Sequence, residues 1–151
     1  MSGPLNHSPA RIVAQAIADL SLVSFNATTW GLYVGMLPDT PDEAVCVFNT
    51  TGVIQGRIQF TGETVEMHGV QVRIRGRYEE KTYAKARAIA VALDTQIKRT
   101  LVTIGSDTYR IFSFNRTSSV IPLGADSPTT KRRSFTVNGI VSVRAVPGTG
   151  T

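Results

Sequence analysis

The sequence predicts an α+β fold: a mixed, mainly antiparallel sheet of about five to six strands covered by two helices, with an extended arm or hairpin. Three observations carry this. Two stretches place apolar residues at helical spacing, the first led by Ser8-Pro9 and the second by Glu79-Glu80. Val70, Val72 and Ile74 alternate with Gln71, Arg73 and Arg75, the two-residue period of a half-buried strand. A chain of 151 residues buries roughly 70% of its unfolded surface, enough for one core and one domain.

Ser8 reads as an N-cap and Pro9 as a first helical residue; Ile12, Ala16, Ile17 and Leu20 then form one stripe, predicting a helix over 9–20. Residues 29–35, aromatic and β-branched, read as a strand. Pro38, Asp39, Pro41 and Asp42 break the chain into a loop over 36–43. Ala44 to Phe48 is apolar at every position, as a strand covered on both sides is. The glycine-containing segment 49–69 reads as an arm, with Arg57-Ile58-Gln59-Phe60 extended or one leg of a hairpin. After the alternating strand around 70–75, Tyr83, Ala86, Ala90, Leu93 and Ile97 mark a helix over 80–98. Its acidic start and its basic end, Lys98-Arg99, suit the helix dipole, and Tyr78 and Tyr83 are expected to serve its packing. Strands are predicted over 101–104, 108–119 and 133–146, with a loop over 120–132. Residues 1–146 form the single expected domain, and 147–151 a disordered tail with nothing to bury.

No apolar run reaches the ~20 residues of a membrane helix, and Met1–Pro9 lacks the pattern of a signal peptide. One cysteine, Cys46, permits no internal disulfide, so the expectation is a soluble protein of a reducing cytoplasm with no membrane partner. Four Asn-X-Ser/Thr triplets then carry no meaning as glycosylation sites. His7 and His68 have no neighbouring ligands at metal spacing, Cys46 lies mid-strand as an inert thiol, and no phosphate-binding glycine motif is present. No enzyme, metal or cofactor is expected.

Charge is unevenly placed. Residues 1–66 carry two basic and six acidic groups; residues 67–151 carry fourteen basic and five acidic, for a net charge of +5. Such asymmetry suits nucleic acid, or self-association in which a negative face meets a positive one, or is simply that of a soluble protein with an unevenly dressed surface. Arg73, Arg75 and Arg77 alternate on one side of a strand, their guanidinium groups roughly 6–7 Å apart. Such a row binds phosphate, pairs with carboxylates of a neighbouring subunit, or is simply a solvated face. Lys131-Arg132-Arg133 has the same three readings. Arg57, Glu63, Glu66, Arg73, Arg75, Arg77, Lys131, Arg132 and Arg133 are therefore the candidate subunit-interface or channel residues.

The loop Gly35-Met36-Leu37-Pro38-Asp39-Thr40-Pro41-Asp42 precedes a central strand, and Val70-Gln71-Val72-Arg73-Ile74-Arg75-Gly76 precedes the long helix. With these motifs, the order of segments over residues 9–115 resembles the minor capsid and tail terminator family of long-tailed bacteriophages. The resemblance implies a structural virion protein forming a ring, typically a hexamer, at the head-proximal end of the tail. There it would stop tail-tube polymerisation and offer a surface for head attachment. The implied partners are copies of itself, the tail tube protein, the head-completion protein and DNA passing non-specifically through the channel, all assembled in the host cytoplasm. A head-completion or adaptor protein at the portal side and a basic nucleic-acid-binding module are the competing readings.

Overall fold

Ser8 opens helix α1 (Pro9–Asp19): its hydroxyl accepts the Arg11 N–H at 3.2 Å, and Pro9 sits where its missing N–H costs nothing. The computed structural model describes residues 5–50, 66–125 and 131–146. Ala10, Ile12, Val13, Ala14, Ala16 and Ile17 are the buried residues of α1. Helix α2 (Glu79–Thr95) starts on Glu79 and Glu80, as the dipole favours, and buries Ala86, Ile89, Ala90 and Leu93. It stops short of the expected Lys98. The N–H groups of Gln96 and Ile97 both bond to the Ala92 carbonyl, winding the last turn closed so that Ile97 swings into the core. Lys98 and Arg99 therefore lie beyond the helix, and Arg99 adopts a φ of +54°.

The six predicted strands are present: β2 (Gly31–Val34), β3 (Ala44–Thr50), β4 (Glu66–Gly76), β5 (Thr100–Ile104), β6 (Asp107–Arg116) and β8 (Arg133–Val146). Two more accompany them among the described residues, β1 (Ser24–Phe25) and β7 (Ile121–Ala125). They form one sheet in the order β1-β2-β3-β4-β8-β6-β5, with β7 also paired to β8. The β1–β2 and β2–β3 pairs are parallel and the rest antiparallel. β8 is the axis of the sheet: β4 runs along one of its edges, while β7 and β6 share the other. β7 occupies the predicted 120–132 loop. Pro122, in register with Phe135, is tolerated there because β7 pairs only with β8 among the described strands, and the register slips just after it, between Pro122 and Gly124. Residues 51–65 of the predicted arm, like the 147–151 tail, lie outside the described residues, and 66–69 belong to β4.

Both helices pack on one side of the sheet. That side carries Val45 and Val47 of β3, Val70, Val72 and Ile74 of β4, and Phe135, Val137, Val141 and Val143 of β8, all buried. A register shift between Ile111 and Ser113 puts Ile111 and Phe114, three residues apart, on this same side. Gly139 lies beneath the Phe114 ring, where a Cβ would collide with it. Tyr78 and Tyr83 do less for the core than expected, being 58% and 44% exposed, although the Tyr83 ring meets Phe135 edge-on at 5.6 Å.

Candidate assembly surface

On β4 each apolar residue is followed by a polar one that faces away from the helices: Gln71 after Val70, Arg73 after Val72, Arg75 after Ile74. Cross-strand pairing sets Arg73 between Cys46 of β3 and Thr136 of β8, and Arg75 between Ala44 and Ser134. Near Arg75 this helix-free side is overlain by the loop 35–43.

Two buried arginines hold that loop. Arg75, 3% exposed, donates from Nε to the Asp42 carbonyl at 3.2 Å and from Nη2 to the Pro41 carbonyl at 2.6 Å. Arg132, 6% exposed, donates to the Asp39 carbonyl and pairs with the Asp39 carboxylate at 3.1 Å and with Asp42 at 3.7 Å. The two come together because Gly76 of β4 lies opposite Arg133 of β8, which sets Arg132 beside the end of the Arg75 strand. Beneath the start of the loop lies Cys46. Burial pushes its thiol up to about 11, opposed in part by the Gly35 and Met36 backbone and by Arg73.

The candidate residues thus separate. The arginine row is not one solvated face, because Arg75 is spent on loop carbonyls. Arg73 is half-buried with its guanidinium 5.5 Å from the Phe48 ring, and Arg77 stands exposed in the turn before α2. The run Lys131-Arg132-Arg133 is split likewise: Lys131 and Arg133 are exposed while Arg132 points in. Lys131 takes a φ of +55°, which turns the chain into β8. Glu66 begins β4 opposite Val143 on the helix side of the sheet, 3.9 Å from His68 Nε2. Arg57 and Glu63 lie outside the described residues.

Sequence reading missed a second basic pair on the helix-free side. Arg110 of β6 is directly opposite Arg144 of β8, and Arg144 stacks over Phe112 at 5.5 Å. Alternation along 108–111 and 141–146 was the available signal. Among the described strand positions on this side of β3, β4, β8 and β6 there is no carboxylate. On the opposite side of the molecule, the outermost stripe of α2 is Ala84, Ala88 and Val91, all exposed, with Lys81 and Arg87 exposed beside it. Lys85 reaches back to donate to the Leu22 carbonyl at 2.9 Å and lies 5.2 Å from the Trp30 ring; burial lowers its pKa.

A family model described as bacteriophage tail terminator protein matches residues 16–135. The chain belongs to that family. As a tail terminator family member it is a structural protein of the phage tail, and its place is the virion. No curated protein matches it. Among solved structures it is similar to a chain of the virion of a native gene transfer agent particle, at 12% identity over 75% of this chain and 78% of that one, with a TM-score of 0.43. Another solved chain, also 12% identical, is covered over 97% of its length by 92% of this one, with a TM-score of 0.48. The tail terminator match spans the loop 35–43, both arginines that hold it and the whole of α2.

Proposed function

We propose that this chain forms a ring, a homohexamer, at the head-proximal end of the phage tail. The ring stops polymerisation of the tail tube and presents the surface to which the head-completion protein joins, while DNA passes through its channel without sequence preference. The observation that carries this is the family match over residues 16–135. The fold is compatible with it: helices cover one side of the sheet and the loop 35–43 overlies part of the other, so each copy offers two unlike surfaces to its neighbours. A contact between unlike sides propagates head to tail and closes into a ring when the rotation allows. Six chains of 16.3 kDa give roughly 98 kDa for the closed species.

The role is structural, so no catalytic group, metal or cofactor enters it. The exposed cations Arg77, Lys131 and Arg133 and the half-buried Arg73 remain available for subunit or channel contacts, whereas Arg75 and Arg132 serve by shaping the loop.

Removal of the gene from the phage tests the reading. Overlong tails that fail to join heads are expected, with gold label on this chain at the tail side of the joint. Label on the portal side would assign it to head completion instead. A basic nucleic-acid-binding module is the second reading, favoured by the arginine–aromatic stacks of Arg73 on Phe48 and Arg144 on Phe112. It requires tight DNA binding by the isolated monomer that weakens steeply with added salt.

A further inference from the structure

The loop 35–43 and the outer face of α2 are complementary surfaces on opposite sides of one sheet. The loop projects Met36, 77% exposed, the most exposed large apolar side chain among the described residues. Behind it stand Asp39, whose carboxylate is 92% exposed despite its pairing with Arg132, and Asp42, 44% exposed. This is an apolar knob with an acidic base, and two buried arginines fix its backbone. The α2 face is the converse. A shallow pocket of about 350 Å³ is lined by Trp30, Ala84 and Ala88 with Lys81 and Lys85 at its side. From Lys81 through Ala92 the helix has no carboxylate.

The two surfaces cannot meet within one chain. Arg75 and Cys46 face away from the helices and the loop lies over them, whereas the pocket is on the helix layer. Trp30 and Met36 also sit beyond opposite ends of β2, a strand whose four residues span about 13 Å.

We propose that the loop 35–43 of one copy docks on the outer face of α2 of the next. Met36 enters the Trp30–Ala84–Ala88 pocket, and the Asp39 and Asp42 carboxylates face Lys81 and Lys85. The occupant is a second copy because this chain itself carries the matching charge and the matching knob. The contact is heterologous, with each copy using one surface of each kind, so it extends around a ring without exhausting either. The inference rests on the ring reading above and assigns the surfaces that build it.

Cross-linking tests it, with the full-length chain in the presence and absence of tail tubes. Met36→Cys and Ala88→Cys replace exposed residues, and buried Cys46 stays inert, with the unmodified chain as control. Under oxidation or a short bis-maleimide, each single variant alone should remain unlinked. An equal mixture of the two should give dimers and nothing larger. The double variant should give a ladder ending at the size of the ring. Lys81→Glu in the double-variant background should suppress the ladder by placing like charges at the contact. Dimers from Met36→Cys alone would mean that loop meets loop, overturning the heterologous contact. An assembly of full size by native mass with no cross-link overturns the docking and leaves the ring standing. A chain that stays monomeric even beside tail tubes removes both.

Discussion

Ile74 and Arg75 are neighbours on β4 and belong to different worlds. Ile74 faces the helices and is fully buried among Val45, Phe135 and other apolar groups. Arg75 faces the other way and is nearly as buried, but by carbonyl oxygens of a loop. One side of the sheet is closed by the hydrophobic effect, which is non-directional and tolerant of detail. The other is closed locally by charged hydrogen bonds, which work only for a particular loop path. The first makes a fold; the second gives a loop a fixed shape.

Substitutions at this pair break the comparison most sharply. Ile74→Ala should cost about 2–5 kcal/mol in denaturant unfolding, since a buried methyl-rich side chain leaves a cavity. Its effect should be global, lowering hydrogen-exchange protection throughout β3, β4 and β8. Arg75→Met should cost less, about 1.5–3 kcal/mol, the scale of a hydrogen bond to a charged donor. That loss should be local: protection should fall over residues 36–43 while α1 and α2 keep theirs, and assembly should suffer more than folding. Equal and global losses from both variants would erase the distinction between the two sides.

Alkaline titration probes the boundary between them. Burial holds the Cys46 thiol at about 11 against an ordinary 9.0, and it also raises the Tyr109 phenol. Both groups favour their protonated forms in the folded chain; the Cys46 contribution is complete below pH 9 and is lost as pH climbs through 11, and the Tyr109 contribution is lost in the same direction, as pH rises above the ordinary phenol value of 10.0. Stability measured over pH 8 to 11 should fall, and Cys46→Ala should reduce part of that fall. The smallest effect belongs to Arg77→Ala and Lys131→Ala, exposed positions where changes within about 0.5 kcal/mol are expected by thermal unfolding.

The apolar side was legible in the sequence because it obeys simple periods. The stripes Ile12–Ala16–Ile17 and Ala86–Ala90–Leu93, and the alternation Val70–Val72–Ile74, located both helices and the central strand. Alternation also read the outward direction of Arg73 and Arg75 correctly. It could not show that Arg75 is consumed by Pro41 and Asp42, because a carbonyl acceptor 33 residues away leaves no mark on composition or spacing. Arg132 escaped for the same reason: a basic run looks uniformly solvated until a register puts its middle residue beside Asp39. β7 is not legible because Pro122 and Gly124 are loop residues by any local rule, and only the long edge of β8 makes them a strand. Glu66 was grouped with the arginines by charge, while the pleat sends it to the opposite side.

Electron cryomicroscopy of the head–tail joint in intact particles tests the central claim most directly. A closed ring of this chain should sit on the last ring of the tail tube, each loop 35–43 lying against α2 of its neighbour. A two-fold dimer joined through equivalent faces, or density for this chain anywhere but the tail side of the joint, would contradict it.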